Sequence, residues 1–331
     1  LRPRGDAVKR SASAISLLLV LPVVAACKGG TPSAKSPTGG KSGETANGAK
    51  APGDEPRLTV DNGSLPGAER RLRVAGVALR APPFFLPIVG FARSGPYATL
   101  LAKAEKSCGF NPVHAIDDVA WSQGADGWLL VLKPALGEDE ALECVAKLAD
   151  GTVTKRAGRG FVQTALFSAT ARDGILVIGN DTAVEVFLAA PATSEERRAL
   201  HLEEGELVRG SGALPADPRT HVEATLTYGK GRPTADGKGS EKVEARISAE
   251  FDEAKTAEAL VERLEGLRDQ AKLGAKNPRS RAVLDSFHFS HPGRRFVVEF
   301  GTQGDKKAIV EYVDFLVGLY ELFAAEEGKT P

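Results

Sequence analysis

Few residues in this 331-residue chain have the type and spacing to do chemistry. Asp285, His288 and His291 place a carboxylate and two imidazoles within one short stretch, a donor set that suits zinc or a similar ion. His288 and His291 are an odd number of residues apart, so on a strand they point to opposite faces. A metal site would need His291 to swing back at the Pro292-Gly293 turn. The expectation is therefore a pair of surface histidines flanking a hairpin, with no metal and no cofactor. His114, His201 and His221 stand alone, at no spacing that pairs them with a nucleophile. Arg156-Ala157-Gly158-Arg159-Gly160 is basic and Gly-rich, but it lacks the Lys-Ser/Thr and the strand-to-helix setting of a phosphate loop. Asp61-Asn62-Gly63-Ser64 opens like a calcium loop and has no glutamate at the twelfth position. No nucleophile elbow, zincin helix or Ser-x-x-Lys stands where a nucleophile or metal would be needed. These residues do not make an enzyme.

The elements around them follow a repeating order. Val222, Ala224, Leu226 and Tyr228 alternate with His221, Glu223, Thr225 and Thr227, the period of a strand with one wet face. After the Gly-rich stretch 229–240, Val243, Ala245, Ile247, Ala249 and Phe251 resume the alternation. Asp252 is the expected cap of a helix whose stripe is Ala257, Leu260, Val261, Leu264, Leu267 and Ala271. A second unit reads as a strand over Val283–Ser290, the Pro292-Gly293 turn, a strand through Phe296, Val298 and Phe300, and a helix carrying Ile309, Tyr312, Val313 and Leu316. Upstream, Ile116–Trp121, Asp126-Gly127, Trp128–Leu132 and a helix over 138–148 form a third. Phe161–Ser168, Asp173-Gly174, Ile175–Ile178 and a helix over 181–190 form a fourth. Leu72–Leu79 and Phe84–Phe91 read as further strands, and Pro96–Lys106 as a helix with proline in its first turn. The predicted fold is α+β: repeated β-β-α units, mostly antiparallel sheet with helices packed on one face, in two pseudo-repeated halves.

Forty-three basic and forty-three acidic residues cancel, so there is no basic face to suggest a nucleic-acid partner. The N-terminus is the most distinctive segment. Arg2, Arg4, Lys9 and Arg10 precede an apolar core from Ala14 to Ala26, too short for the roughly 20 residues of a membrane span. This is the layout of a secretory signal. Val24-Ala25-Ala26-Cys27 resembles the lipobox of bacterial lipoproteins. The resemblance implies cleavage before Cys27, lipid on its sulfur, and attachment to the membrane through that lipid. Residues 28–55, rich in Gly, Ser, Thr, Pro, Ala and Lys, cannot bury enough apolar surface to fold. As a coil they span on the order of 30 Å, a tether. Lys28 after the cysteine favours the outer membrane, facing the periplasm or the cell surface. The chain opens on Leu1 and contains no Met, which fits a non-ATG start and a clipped terminus equally.

An oxidising envelope makes the two remaining cysteines, Cys108 and Cys144, a disulfide pair; the alternative is two buried thiols packing as small hydrophobes. The stretch Cys108-Gly109-Phe110-Asn111-Pro112 through Ile116-Asp117 to Cys144 is similar to envelope lipoproteins of myxobacteria, in which such cysteines flank a strand hairpin. That resemblance implies location and fold and no activity. The expected organisation is a signal peptide (1–26), an anchored tether (27–56), a first half (57–201), a linker (202–219), a second half (220–326) and a tail (327–331). The expected function is a lipid-anchored, non-catalytic binding or structural module of the cell envelope, meeting an envelope protein or ligand through its sheet face or the Trp121/Trp128 hairpin. The alternative is an envelope hydrolase or metal-dependent enzyme with a site assembled from distant residues.

Overall fold

The computed structural model describes residues 57–81, 84, 98–109, 112–156, 158–165, 167–214, 217–233 and 239–327. The signal-like stretch, Cys27, the tether and all of the strand expected over 84–91 except Phe84 lie outside the described residues. In chain order the elements are β1 (Arg70–Val74), α1 (Ala98–Cys108), β2 (Ile116–Gly124), β3 (Gly127–Pro134), α2 (Glu138–Leu148), β4 (Val153–Arg156), β5 (Arg159–Gln163), β6 (Ser168–Arg172), β7 (Ile175–Gly179) and α3 (Asp181–Ala189). There follow β8 (Glu206–Leu214), β9 (Asp217–Lys230), β10 (Glu241–Glu250), α4 (Ala254–Gly274), α5 (Pro278–Asp285), β11 (His288–Ser290), β12 (Arg295–Gly304) and α6 (Lys306–Glu327).

The strands form one twelve-stranded sheet in the order β11-β12-β10-β9-β8-β1-β2-β3-β7-β6-β5-β4. Each neighbouring pair is antiparallel. The predicted α+β class with a large antiparallel sheet is therefore observed. At the β6–β7 turn Asp173 and Gly174 have φ of 58° and 77°, the left-handed pair that a tight two-residue hairpin demands.

Register separates the two faces of the sheet. One row runs Ile178, Leu130, Trp121, Leu72, Gly210, Ala224, Ile247, Val298, Phe289; we call its side face A. The row Val177, Val131, Ala120, Arg73, Arg209, Thr225, Arg246, Glu299, His288 lies on face B. Ala141, Leu142, Val145 and Ala146 of α2 pack on face A of the first half. Ala257 and Val261 of α4, Val283 of α5, and Ile309, Tyr312 and Val313 of α6 pack on face A of the second half.

The prediction that helices cover one face is corrected by α3. Its Ala183, Val184 and Phe187, together with Leu58, Val60 and Leu65, pack on Ala120, Leu129, Val131, Ile175 and Val177 of face B. The reason is visible in β3 and β7, whose apolar runs Leu129–Leu132 and Ile175–Ile178 offer hydrophobic side chains to both faces and need cover on both. β9 and β10 alternate instead, and among the described residues only face A is covered over them.

Five further readings change. The strand expected over Leu72–Leu79 ends at Val74, and Gly76–Leu79 is a single helical turn. The segment 202–219, expected as a linker, holds β8, which pairs with β1 at the middle of the sheet. Val283–Ser290 is not one strand: Asn277 accepts from the Arg279 amide and Pro278 sits in the first turn, so α5 runs to Asp285 and only His288–Ser290 is extended. Phe161–Ser168 divides between β5 and β6, interrupted where Thr164 bonds back to Phe167. Glu253, not Asp252, is the N-cap of α4, and its side chain makes no cap bond.

Candidate functional site

The three candidate metal ligands do not converge. Asp285 ends α5 with its carboxylate 2.5 Å from Lys272 Nζ. His288 is exposed opposite Glu299 on the sheet edge, and His291 lies exposed beyond the strand. Among the described residues no group of three or more His, Cys, Asp or Glu is placed to hold a metal ion. Cys108 and Cys144 are bridged, with Sγ atoms 2.01 Å apart and Cα atoms 5.1 Å apart. The bond ties the end of α1 to the buried side of α2, where Cys144 sits between Ala141 and Val145.

Two open hollows flank the first half. One, of about 350 Å³, is lined by Glu138, Asp139, Arg159, Arg172 and Asp173 among others. Three of these side chains are already engaged in the fold: Glu138 Oε1 accepts from the Gly174 amide at 2.5 Å, and Asp173 Oδ2 accepts from Leu58 N at 2.9 Å and pairs with Arg172 at 3.1 Å. The other, of about 360 Å³, is lined by Leu148, Ala149, Asp150, Thr164, Ala165 and Phe167.

The remaining feature is the uneven cover of face B. Over β8–β12 no helix or strap among the described residues covers this face, and it is charged in a balanced pattern: Arg246–Glu299 at 3.0 Å, Arg295–Glu223 at 2.9 Å, Lys242–Glu244 at 2.5 Å. Such exposed pairs add little stability. They leave a flat, polar surface whose charges are mutually satisfied.

Where the cover stops, a step forms on β1 and β8. The covering layer is held by Arg197, 4% exposed. Its guanidinium lies 3.8 Å from the Phe187 ring centroid and donates to Ala190 O at 2.6 Å and Asn62 O at 3.3 Å. Burial, with a smaller push from Arg172, pulls its pKa down to about 10. Ser64 N donates to Arg197 O, and Leu65 N to Ser122 Oγ, so the 58–65 segment is fastened to both α3's layer and the sheet.

At the foot of the step three arginines share face B. Arg73 is buried, and its Nη2 donates to Asp61 at 2.9 Å and Asp118 at 2.7 Å. Burial raises the Asp118 pKa, with Arg73 opposing the shift. Arg209 donates to Glu206 at 2.7 Å and Glu203 at 2.9 Å, and the Glu206 bond leads in raising its pKa. Arg71 has no carboxylate partner among the described residues. Shielded polar atoms without a partner are Arg70 Nε, Arg71 Nε, Arg73 Nη1, Trp121 Nε1 and Glu241 Oε2; three of these five, counted among the described residues, belong to β1. Sequence reading missed this cluster. Arg70-Arg71-Leu72-Arg73 inside a strand was the available signal, but only the register with β8 places Ser211 beside Arg71.

The expected Trp121/Trp128 hairpin is β2–β3, and both rings are half-buried on face A against the α2 cluster. No helix among the described residues is long and apolar enough to cross a membrane.

No family model matches this chain, and no curated protein does. Among solved structures, one described as "Structure of crystal form I of TP0453" is similar over 80% of this chain and 98% of that one, with 12% identity and a TM-score of 0.41. A likeness of that size carries no argument about function.

Proposed function

We propose that this chain is a lipid-anchored protein of the cell envelope, attached through Cys27 and presenting a non-catalytic binding module. The observation that carries the module reading is the open face B of β8–β12. The same sheet is covered on both faces over β3 and β7, where its side chains are apolar. Over β9 and β10 the sheet instead carries alternating polar residues, and no element among the described residues covers them. The location is supported by the lipobox-like Val24-Ala25-Ala26-Cys27 and by the tether composition.

The finer architecture belongs to the same proposal. Each half opens with three strands that pair in order, β1–β2–β3 with α1 between the first two, or β8–β9–β10, followed by α2 or α4. Each then returns so that its last strand pairs with the third, β7 with β3 and β12 with β10. This correspondence supports a duplicated unit, although α3 and α6 then pack on opposite faces. An experimental structure lacking either of those two pairings would remove it.

In-cell photo-crosslinking tests the module reading. A crosslinker at Thr225, on open face B, is expected to give a discrete adduct in the native host, and one at Glu258, exposed on α4, is not. Identical patterns from the two positions, or no adduct from Thr225, would contradict it.

A further inference from the structure

We propose that Arg71, Ser211 and His221 form a binding site for a tetrahedral oxyanion, phosphate above all, at the foot of the step on face B. This inference rests on the reading of face B as a binding surface and makes no use of the anchor. The three residues come from adjacent strands. Arg71 on β1 is the direct cross-strand partner of Ser211 on β8, and Ser211 Oγ lies 3.2 Å from Nε2 of His221 on β9.

Charge pairing singles out Arg71. Arg73 and Arg209 already hold Asp61, Asp118, Glu203 and Glu206. Glu223, the cross-strand partner of Ser211, is taken by Arg295. Among the described residues Arg71 is therefore the arginine of the step with no salt-bridge partner, flanked in register by two hydroxyls, Ser122 and Ser211. Its Nε is shielded and without a partner, as is Nη1 of Arg73, which is 6% exposed and stands two residues along the same face. Buried donors in a folded protein are normally paired, and these two shielded atoms hold their guanidiniums against the sheet, which leaves the Arg71 terminal nitrogens as the ones a ligand would meet.

The donor geometry selects the ligand. A guanidinium, a hydroxyl and an imidazole stand on three neighbouring strands of one sheet face, strand to strand roughly 5 Å apart. A planar carboxylate satisfies an arginine fork with both oxygens and has little left for the other two donors. A phosphate group meets a guanidinium fork with two oxygens and has others left for a donor of the hydrogen-bonded Ser211–His221 pair. The phosphate could be a free ion or part of a lipid headgroup, and the shared chemistry is the same.

The test uses the full chain carrying Cys27→Ser, titrated with inorganic phosphate at low salt by calorimetry and by amide chemical shifts. Saturable one-site binding is expected, with shifts at Arg71, Ser211 and His221. Arg71→Gln should weaken it at least tenfold and Ser211→Ala roughly threefold, whereas Arg246→Gln, a paired arginine elsewhere on face B, should leave it unchanged. Because Arg71 lies on a central strand, each variant is checked for an unaltered unfolding curve, and Ser211→Ala decides if Arg71→Gln does not fold. Vesicles of phosphatidylglycerol, compared with phosphatidylcholine, separate the sources. Binding to the former that Ser211→Ala weakens identifies a headgroup phosphate; binding to inorganic phosphate alone identifies the free ion. No saturable binding to either probe, or equal loss in Arg246→Gln, overturns the site. If Thr225 gives no adduct while phosphate still binds, the partner reading falls and this site stands.

Discussion

Arg197→Ala tests how the covering layer on face B is held. The substitution removes a guanidinium that donates to the carbonyls of Ala190 and Asn62 and stacks 3.8 Å from the Phe187 centroid. Each partly buried carbonyl left unpaired costs about 1–3 kcal/mol, and a desolvated cation–π contact adds about 0.5–2 kcal/mol. Allowing for relaxation, the expected loss is about 3–4 kcal/mol, a large share of a stability that for most domains is about 5–15 kcal/mol. Urea unfolding followed by circular dichroism measures it. Hydrogen exchange should also quicken at the Ser64 and Leu65 amides, because Ser64 N is bonded to Arg197 O and Leu65 is next along the strap. Arg197→Lys should recover less than half of the loss, since one ammonium cannot reach both carbonyls in the arginine's fork. A loss below about 1 kcal/mol with unchanged exchange at Ser64 would refute the idea that Arg197 fastens the layer.

Three further outcomes are expected. Replacing both Cys108 and Cys144 by Ser frees a loop with a sequence separation of 36. Chain-entropy arithmetic gives a loss of about 4 kcal/mol in denaturant unfolding, and an unchanged midpoint would contradict it. The raised pKa of Asp118 means the folded state keeps its proton to higher pH than the unfolded state. Its contribution is therefore greatest at acid pH and declines as pH rises through the raised value. The stability advantage of the wild type over Asp118→Asn should be larger at pH 4 than at pH 7, and an equal or smaller gap at pH 4 would reverse the assignment. His288→Ala with His291→Ala should change stability by less than about 0.5 kcal/mol, as for exposed side chains without a special role. Elemental analysis showing metal that the double variant loses would reinstate the Asp285–His288–His291 site.

Much of the fold could be read from local pattern, where pattern and packing agree. Strands β9 and β10 alternate cleanly and were placed by period alone, as were the helices α2 and α4. The Asp173-Gly174 turn announced its own geometry. The layering was harder, because a continuous apolar run such as Ile175–Ile178 says that both faces are buried but not by what. β8 was misread as a linker since Gly210, Ser211 and Gly212 look like a loop; β1 pairs there so closely that a Cβ on Gly212 would meet the Glu69 carbonyl at 2.6 Å. The arginine step depends on register between strands more than 130 residues apart, which no local window contains.

The proposed anchor is lipid on Cys27, holding the binding module at a membrane outside the cytoplasm. Metabolic labelling with palmitate, followed by density flotation of wild-type and Cys27→Ser chains, tests it most directly. A labelled wild type that floats with membranes is expected, with an unlabelled variant recovered in the soluble fraction. A Cys27→Ser chain that still floats with lipid, or a wild type that takes up no label, would contradict it.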